Sequence, residues 1–455
     1  MIKDDFKRRM QNILGDEYPE FISSLELNTA VRGMRVNLIK CPSGVIDIEG
    51  VSLSPVSYCD NGYILSGDVA VGRLPEHHAG LIYMQDPGAM STLTAVDIRP
   101  DMWVADLCAA PGGKSGQVAE RLGNDGFLLS NEYVAKRAKI TVTNLERLGI
   151  SRAIVTSMDT GELARLFSSL FDLVVADAPC SGEGMFRKSE EARAEWSEEN
   201  VRISAKRQTE ILDNAYRLLR PRGMLLYSTC TWSIEENEEQ VLAFLKRHPD
   251  MHLIPVKASL ASVTSDGIVL YGHDELKLTR RCYPHKMAGE GQFIALFMKD
   301  EGDEHGDRIL FRENVKSPSR EDERVVMEFF NNHMKKIPEG RLITSGGRII
   351  LVPHNCPIPP HKVFMAGVLI GEVKRGILHP EHQFFSVYGK DFKNTISLDT
   401  DDKRLGEYLS GLEIECESNL TGYVAILYRG ATLGGGKASG GRIKNHYPKG
   451  LRNTM

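Results

Sequence analysis

The sequence predicts an α/β fold built around a parallel, doubly wound sheet, with a different kind of segment at each end. Strands, turns and helices alternate from about residue 96 to 300, which is the pattern of such a sheet. Residues 171–176 form a near-continuous apolar run, as buried parallel strands do. Because 455 residues exceed one ordinary core, we expect two to four domains. The patterns along the chain divide it into four units, at 1–95, 96–300, 308–365 and 366–455.

The elements follow from local patterns along the chain. In the first unit, residues 6–14 and 19–27 have a helical pattern and residues 34–39 a strand pattern, so this unit is α+β. In the central unit, we predict strands and helices alternating, with strands at 103–107, 126–130, 153–155, 171–176, 224–228 and 292–297, and helices at 115–122, 135–148 and 204–219.

The C-terminal third has a different pattern. From Glu301 to Asp307 the charge density rises and the apolar pattern stops, which indicates a linker. A small connecting domain follows, at 308–365. The last ninety residues are rich in predicted strands with glycine turns, at 364–370, 384–388 and 423–428.

Composition excludes some classes of protein. The hydrophobic fraction of 42% and the charged fraction of 26% are typical of soluble proteins. No apolar run reaches the roughly 18 residues of a membrane helix, and the charged N-terminus lacks the apolar core of a signal peptide, so we expect a cytoplasmic protein. The net charge of −5 gives no overall nucleic-acid signal.

The charge is nevertheless uneven, because no acidic residue follows Glu417. A basic tail can contact phosphates, and the alternative is a solvated, disordered terminus. Six basic residues follow Glu417: Arg429, Lys437, Arg442, Lys444, Lys449 and Arg452.

A glycine-rich turn follows the first strand of the central unit. Gly112 and Gly113 stand directly before a helix, where a backbone without side chains can approach a ligand. Glu132, after the next strand, is placed to bind ribose hydroxyls, and Asp159 and Asp177 follow two further strands. The turn lacks the G-x-G-x-x-G pattern, which favours S-adenosylmethionine over a dinucleotide; taken alone, it could be mere punctuation of the chain.

Two cysteines lie at strand ends. None of the eight cysteines forms a C-x-x-C pair, so we predict free thiols and no metal site. Most are interpreted as small buried hydrophobes, and Cys108 as packing before the turn. Cys180, in Asp177-Ala178-Pro179-Cys180, and Cys230, in Ser228-Thr229-Cys230-Thr231, are interpreted as reactive thiols.

A nucleoside-binding turn together with two thiols indicates methylation of a carbon that must first be activated. Carbon 5 of a pyrimidine is a poor nucleophile until a thiolate adds to carbon 6. Such a site needs one nucleophilic cysteine, a donor that stabilises the ring, for which a protonated Asp177 fits, and a second group that resolves the adduct. The motifs alone do not decide which cysteine attacks.

These motifs, from Asp106 to Lys114, from Asp177 to Gly184 and from Tyr227 to Thr231, resemble the Sun (Fmu) family of RNA cytosine-5 methyltransferases, with its bacterial rRNA members as the closest type. Further matches are Arg187-Lys188, Gln208, residues 235–238 and residues 284–293. The resemblance covers about residues 85–300 well. It implies a Rossmann-like S-adenosylmethionine-dependent core, an N-terminal RNA-binding extension and a C-terminal PUA-like RNA-binding module.

The resemblance also implies roles for residues. The Thr-Cys cysteine, Cys230, is the nucleophile of the family, and the Pro-Cys cysteine, Cys180, assists product release. Asp177 and Lys114 lie near the reacting centre. The residues implied to bind S-adenosylmethionine are Cys108, Ala109, Ala110, Pro111, Gly112, Gly113, Lys114, Glu132 at the ribose, Arg137, Asp159 at the adenine side, and Asp177.

The expected activity is therefore methylation of carbon 5 of cytosine in rRNA, with small-subunit 16S rRNA or the small ribosomal subunit as substrate. We expect a monomer, and neither DNA nor a membrane as partner. Two alternatives remain open at this point: the same chemistry on tRNA, and a non-catalytic RNA-binding ribosome assembly factor. An NAD-dependent oxidoreductase is disfavoured because the G-x-G-x-x-G turn is missing.

Overall fold

The computed structural model describes residues 2–27, 30–302 and 311–452. The N-terminal unit joins two helices to an antiparallel sheet in the order β2-β3-β1-β4, which confirms its α+β character. Its elements are α1 (Asp4–Leu14), α2 (Tyr18–Glu26), β1 (Arg32–Val36), β2 (Ser52–Val56), β3 (Cys59–Ser66), α3 (Pro75–His78), β4 (Ile82–Met84) and α4 (Pro87–Thr94).

The central unit alternates strands and helices as predicted. Its elements are β5 (Trp103–Asp106), α5 (Gly113–Ala119), β6 (Phe127–Asn131), α6 (Ala135–Leu148), β7 (Ala153–Thr156), α7 (Thr160–Leu166), β8 (Phe171–Asp177), α8 (Glu190–Glu195), α9 (Glu198–Leu218), β9 (Leu219–Thr229), α10 (Glu238–Arg247), β10 (Met251–Leu253), α11 (Ala258–Ala261), β11 (Ser265–Asp266), β12 (Arg280–Cys282) and β13 (Gln292–Lys299).

Five strands of the central sheet are parallel, in the order β9-β8-β5-β6-β7. The predicted doubly wound core is thereby confirmed. Antiparallel strands extend it beyond β9, where β13 pairs with β9, so the whole sheet is mixed. Helix α9 begins earlier than predicted because Ser197 caps it, accepting a hydrogen bond from the Asn200 amide at 3.1 Å.

The sheet is buried on both faces, which explains its apolar strands. Consecutive residues of a strand point to opposite faces. Val104 belongs to one hydrophobic core and Ala105 to the other, and Leu128 and Leu129 divide in the same way. All four side chains are fully buried. Both cores hold the parallel strands in a fixed register and so fix the edge at which their polar ends meet.

The C-terminal part forms two further sheets, in the orders β14-β15-β17-β18 and β19-β21-β22-β23-β20. Its elements are α12 (Arg320–His333), β14 (Arg341–Ser345), β15 (Arg348–Val352), β16 (Val363–Ala366), β17 (Val368–Lys374), β18 (Ile377–Pro380), α13 (His382–Tyr388), β19 (Thr395–Leu398), α14 (Lys403–Leu409), β20 (Ile414–Glu415), β21 (Gly422–Tyr428), β22 (Ala431–Ser439) and β23 (Arg442–Asn445).

The strand predicted at residues 364–370 is divided in two. Gly367 has a φ of +68°, and a Cβ atom there would lie 2.3 Å from the Leu351 carbonyl oxygen. The chain turns at this glycine. Before it, β16 pairs with β7 and so extends the central sheet; after it, β17 joins β15. The proposed unit boundary at 365/366 therefore falls inside a strand of the central sheet.

The strand predicted at residues 384–388 is wrong, because this segment lies in helix α13. A short apolar run does not distinguish a strand from a buried helix. Here Phe384 and Phe385 are fully buried against neighbouring aromatic rings, including Phe392 at ring distances of 5.6 and 4.8 Å. Tertiary packing therefore decides the conformation.

Two predictions about the C-terminal part have different outcomes. Most of the predicted linker Glu301–Asp307 lies outside the described residues. The basic tail is folded: residues 422–445 form the three strands β21, β22 and β23, so a disordered terminus is wrong for them. None of the helices in the described ranges is both long and apolar enough to cross a membrane.

The two ends of the chain pack together beside α6. Residues from both ends share one hydrophobic core, including Met34, Val36, Tyr408 and Val424. The Tyr428 hydroxyl also donates a hydrogen bond of 2.7 Å to the Glu76 carboxylate. The N-terminal and C-terminal segments thus form one continuous body next to the central sheet.

We expect Glu146→Gln to stabilise the protein more as the pH rises. Burial, and next the charge of Glu381, raise the pKa of Glu146 to about 7 from an ordinary 4.5. The stability contributed by this carboxyl is thus complete below about pH 4.5 and is lost as the pH rises through about 7. Glutamine stays neutral throughout. The melting temperature of the variant relative to the wild type should increase by about 2 °C between pH 5 and pH 8.5.

Glu321→Gln is the matched control, since Glu321 is an exposed carboxylate on α12. Its effect on the melting temperature should be the same at both pH values. A Glu146→Gln effect that is equally independent of pH would contradict the assignment of a half-buried carboxyl with a raised pKa.

Candidate active site

Three neighbouring strands end at one edge of the central sheet. β5 ends at Asp106, β8 at Asp177 and β9 at Thr229, and Asp177 lies opposite Ser228 in the parallel register. The strand order reverses between β5 and β8, since β6 and β7 lie on one side of β5 and β8 and β9 on the other. Ligands of open α/β sheets bind at such a switch point.

The two thiols predicted to be reactive lie side by side at this edge. Cys180 Sγ is 3.3 Å from Cys230 Sγ, and both residues are half-buried. The two segments are joined at two more places: the Gly184 amide donates to the Cys230 carbonyl at 2.8 Å, and the hydroxyls of Ser181 and Thr231 are 2.9 Å apart. Sequences fifty residues apart therefore present one pair of thiols.

The environment of the pair distinguishes the two cysteines. The hydrogen bond with Cys230, and next burial, raise the pKa of the Cys180 thiol well above its ordinary value. Cys180 therefore keeps its proton and can donate it toward the Cys230 sulfur.

Asp177 and Lys114 form an ion pair beside the thiols. Lys114 Nζ donates to Asp177 Oδ2 at 2.8 Å, while Ser228 Oγ and Gln292 Nε2 donate to Asp177 Oδ1 at 2.6 and 3.3 Å. Burial opposes the charge of Lys114, but the attraction of Asp177 outweighs it, and the pKa of Lys114 lies above its ordinary value. Lys114 is therefore a charged donor in the site and not a solvated surface lysine, since its side chain is only 12% exposed.

The loop that carries Cys180 is hydrogen-bonded to two buried residues that the sequence did not single out as site residues. Glu236 and Gln208 are both buried, and both hydrogen-bond within residues 179–181. Burial raises the pKa of Glu236 to about 7. In the sequence, Glu236 and Gln208 are marked only by lying among the further matches to the family. Ser228 lies inside the motif from Tyr227 to Thr231, but nothing in the sequence indicates its hydrogen bond to Asp177.

The glycine turn packs tightly against α6. Gly112 has a φ of +105°, which favours glycine, and lies directly before α5. Asn144 on α6 donates to the Pro111 carbonyl at 2.8 Å, and Arg137 donates to the Ala110 carbonyl at 3.1 Å. The turn from Cys108 to Lys114 is thus rigidly placed between the end of β5 and the start of α5.

The remaining predicted residues extend along the same edge, away from the thiols. Glu132 follows β6, is buried, and forms an ion pair of 3.2 Å with Arg137. Asp159 follows β7 and caps α7, accepting a hydrogen bond from the Gly161 amide at 2.9 Å. Since neighbouring strands lie about 4.8 Å apart, Asp159 stands roughly 10 Å from the turn along the sheet edge. The structure brings together Cys180, Cys230, Asp177 and Lys114, and leaves Glu132 and Asp159 one and two strands away from the turn.

The glycine turn, Glu132 and Asp159 lie in a row along the sheet edge, and this row fits an extended nucleoside ligand such as S-adenosylmethionine. At the end of β5, Asp106 Oδ2 accepts a hydrogen bond of 2.7 Å from Ser115, while Asp106 Oδ1 is buried without a hydrogen-bond partner in the protein. Burial raises the pKa of Asp106 to about 7. An orphaned buried oxygen beside a glycine turn suits a polar ligand, because buried polar atoms are normally paired. In the described part of the chain, no group of His, Cys, Asp and Glu could hold a metal ion.

Comparison with protein families gives matches in three parts of the chain. Residues 93–298 match the 16S rRNA methyltransferase RsmB/F family. Residues 2–87 match the N-terminal domain of 16S rRNA methyltransferase RsmF, and residues 395–453 match the methyltransferase RsmF PUA domain. Between these matches, residues 88–92 and the longer stretch 299–394 are not matched.

Full-length relatives are similar over nearly the whole chain. The ribosomal RNA small subunit methyltransferase F of Aeromonas hydrophila is 30% identical over 454 residues, covering 95% of this chain and 93% of the relative. The protein of the same name from Vibrio parahaemolyticus is 30% identical over 480 residues, covering 99% and 97%.

Solved structures resemble the chain over about two thirds of its length. A methyltransferase homologue from Pyrococcus horikoshii has a TM-score of 0.54 at 28% identity, covering 63% of this chain and 92% of that one. NSun6 from the same organism, solved with SFG, has a TM-score of 0.57 at 20% identity, covering 66% and 99%, and shows the fold alone.

Proposed function

The chain belongs to the family of ribosomal RNA small subunit methyltransferases F, and on that basis we propose that it methylates carbon 5 of a cytosine in 16S rRNA through a covalent bond between Cys230 and the base. S-adenosylmethionine is its cofactor and supplies an electrophilic methyl group. The observation that carries the proposal is the contact of two thiols, 3.3 Å apart, beside the Asp177–Lys114 ion pair.

Cys230 is the proposed nucleophile. Its sulfur adds to carbon 6 of the cytosine, which makes carbon 5 electron-rich enough to take a methyl group. A base then removes the proton from carbon 5, and the bond between carbon 6 and sulfur breaks. Cys180 keeps its proton, so it can donate a hydrogen bond to the departing Cys230 sulfur, which assists release of the product.

The donor that stabilises the ring is assigned to Lys114 rather than to Asp177. The Asp177 carboxylate accepts hydrogen bonds from Lys114, Ser228 and Gln292, so its oxygens are occupied as acceptors. Lys114 carries the charge and the protons of the pair. A cation beside the ring stabilises the negative charge that develops when a thiolate adds to it. Asp177 then orients Lys114.

Two regions are proposed to bind RNA outside the active site. A cytosine in a paired region must be flipped out before a thiol reaches its ring. On the C-terminal sheet, Lys437 of β22 lies directly opposite Lys444 of β23, and Arg442 lies two residues from Lys444. Like charges placed opposite each other repel, and within the described residues no carboxylate pairs with any of the three. Phosphates of RNA would neutralise this surface. The second region is the N-terminal segment, which packs against the C-terminal segment in one shared hydrophobic core.

We expect Glu132→Ala to weaken binding of S-adenosylmethionine by about tenfold or more, the effect of losing a hydrogen bond to a charged group. Glu132 is buried after β6, where a carboxylate accepts hydrogen bonds from ribose hydroxyls. Isothermal titration with S-adenosylmethionine measures the change. Asp125→Ala, in the exposed loop before β6, is the control and should bind normally. Unchanged affinity of Glu132→Ala would remove Glu132 from the cofactor site.

The proposed activity is tested with methyl-labelled S-adenosylmethionine and three unmodified substrates: small ribosomal subunits, free 16S rRNA and bulk tRNA. We expect 5-methylcytosine in 16S rRNA, either free or in the subunit. Label on tRNA alone would keep the chemistry and contradict the substrate. No label on any RNA, with the cofactor still bound, would favour an RNA-binding assembly factor without catalysis.

A further inference from the structure

The loop that presents Cys180 is hydrogen-bonded to one buried carboxylate oxygen. The Ser181 amide, directly after Cys180, donates to Glu236 Oε2 at 2.9 Å. Gln208 Nε2 donates to the same oxygen at 2.9 Å and also to the Pro179 carbonyl, directly before Cys180, at 3.1 Å. The backbone is therefore held on both sides of Cys180 by a single pair of side chains.

The same glutamate is also tied to the strand that leads to Cys230. The Tyr227 hydroxyl donates to the Glu236 carbonyl at 2.5 Å, and Tyr227 lies on β9 three residues before Cys230. Glu236 thus connects, through hydrogen bonds, the two segments that bear the thiols. Its side chain is fully buried, and its second oxygen, Oε1, has no hydrogen-bond partner in the protein.

We propose that Glu236, with Gln208, is a positioning residue that sets the Cys180 thiol against the Cys230 sulfur for the release of methylated RNA. This inference rests on the proposed function and deepens it. The other reacting groups are held by different hydrogen bonds. The Cys230 carbonyl accepts a hydrogen bond from the Gly184 amide. Asp177, the partner of Lys114, accepts hydrogen bonds from Ser228 and Gln292. Loss of the Glu236 carboxylate therefore acts on Cys180 before it acts on the nucleophile.

We expect Glu236→Ala to affect the two halves of the reaction differently: methyl transfer should be retained, and release of the RNA should slow. Glu236→Ala frees the Ser181 amide and leaves Gln208 without one of its acceptors, so the Cys180 loop shifts. A displacement of about 1 Å can cost a factor of about a hundred in a positioned step. We expect methyl transfer in the first turnover to stay close to the wild-type rate, and later turnovers to slow about tenfold or more, with RNA accumulating in covalent complex.

The experiment follows methyl transfer and covalent RNA complex in the same quenched samples, with enzyme in excess and then with RNA in excess. Glu236→Gln should restore release, since glutamine retains an oxygen at the Oε2 position. Gln208→Ala, which loses the contact with Pro179, should behave like Glu236→Ala. Glu239→Ala is the matched control, because Glu239 lies three residues after Glu236, in the first turn of α10, and has no side-chain hydrogen bond to the Cys180 loop in the described structure.

The outcomes separate this inference from the proposed function. If wild-type protein and Cys180→Ala give the expected methylation and trapping, but Glu236→Ala releases RNA normally, the positioning role is wrong. It is also wrong if Glu236→Ala loses first-turnover transfer as fully as later turnovers, or if Glu236→Gln fails to restore release at an unchanged melting temperature. If wild-type protein methylates no RNA, the proposed function itself fails.

Discussion

Replacing Cys230 by alanine is expected to abolish methyl transfer to RNA, lowering the rate by about a thousandfold or more, as loss of a catalytic nucleophile does. Without the Cys230 sulfur no bond forms to carbon 6 of the cytosine, and carbon 5 stays too electron-poor to be methylated. Cys180 cannot take over the attack, because burial still raises the pKa of its thiol when the Cys230 sulfur is absent. Incorporation of labelled methyl groups into 16S rRNA measures the loss.

The control for this variant is Cys416→Ser. Cys416 is a half-buried free thiol in the C-terminal segment, far along the chain from the active site. It should retain full activity, and Cys230→Ala should retain normal binding of S-adenosylmethionine and a normal melting temperature. Wild-type product from Cys230→Ala would reject the assignment of the nucleophile.

Replacing Cys180 by alanine is expected to leave the protein attached to its RNA product. Attack by Cys230 and methyl transfer still occur, but the departing sulfur has lost the S–H donor 3.3 Å away. The complex should survive denaturing electrophoresis as a slower band that carries the methyl label, and multiple-turnover activity should fall about a hundredfold or more, in the range of lost general-acid assistance.

A double variant tests the order of the two roles. Cys180→Ala combined with Cys230→Ala should form no covalent complex, because the attacking sulfur is absent. A complex that persists in the double variant would mean that another side chain attacks. Rapid release by Cys180→Ala alone would remove Cys180 from the release step.

Much of the fold follows from the sequence, for reasons that particular residues illustrate. The parallel strands are apolar on both faces, as Val104 and Ala105 show, so they form near-continuous runs. The helix at residues 384–388 could not be predicted, because a run of five residues, four of them hydrophobic, fits either conformation and only the packing of Phe384 and Phe385 decides. The split at Gly367 likewise depends on a carbonyl from β15, which is distant in the sequence.

The site was predictable as a set of motifs but not as an arrangement. Their positions at strand ends made Asp177, Cys180 and Cys230 candidate site residues. The contact between the two thiols depends on the register of β8 and β9 and on the Gly184 amide, which no local pattern reveals. Glu236 and Gln208 act through single hydrogen bonds across 55 and 29 residues of chain, respectively, so their support of the Cys180 loop becomes visible only in the folded protein.

The measurement that tests the central claim most directly is mass spectrometry of the covalent complex formed by Cys180→Ala with 16S rRNA. After protease and nuclease digestion, we predict one cross-linked species: the peptide that contains Cys230, joined to a cytidine nucleotide that carries the transferred methyl group. A cross-link at any other residue, or methylated RNA without any covalent species, would contradict attack by Cys230.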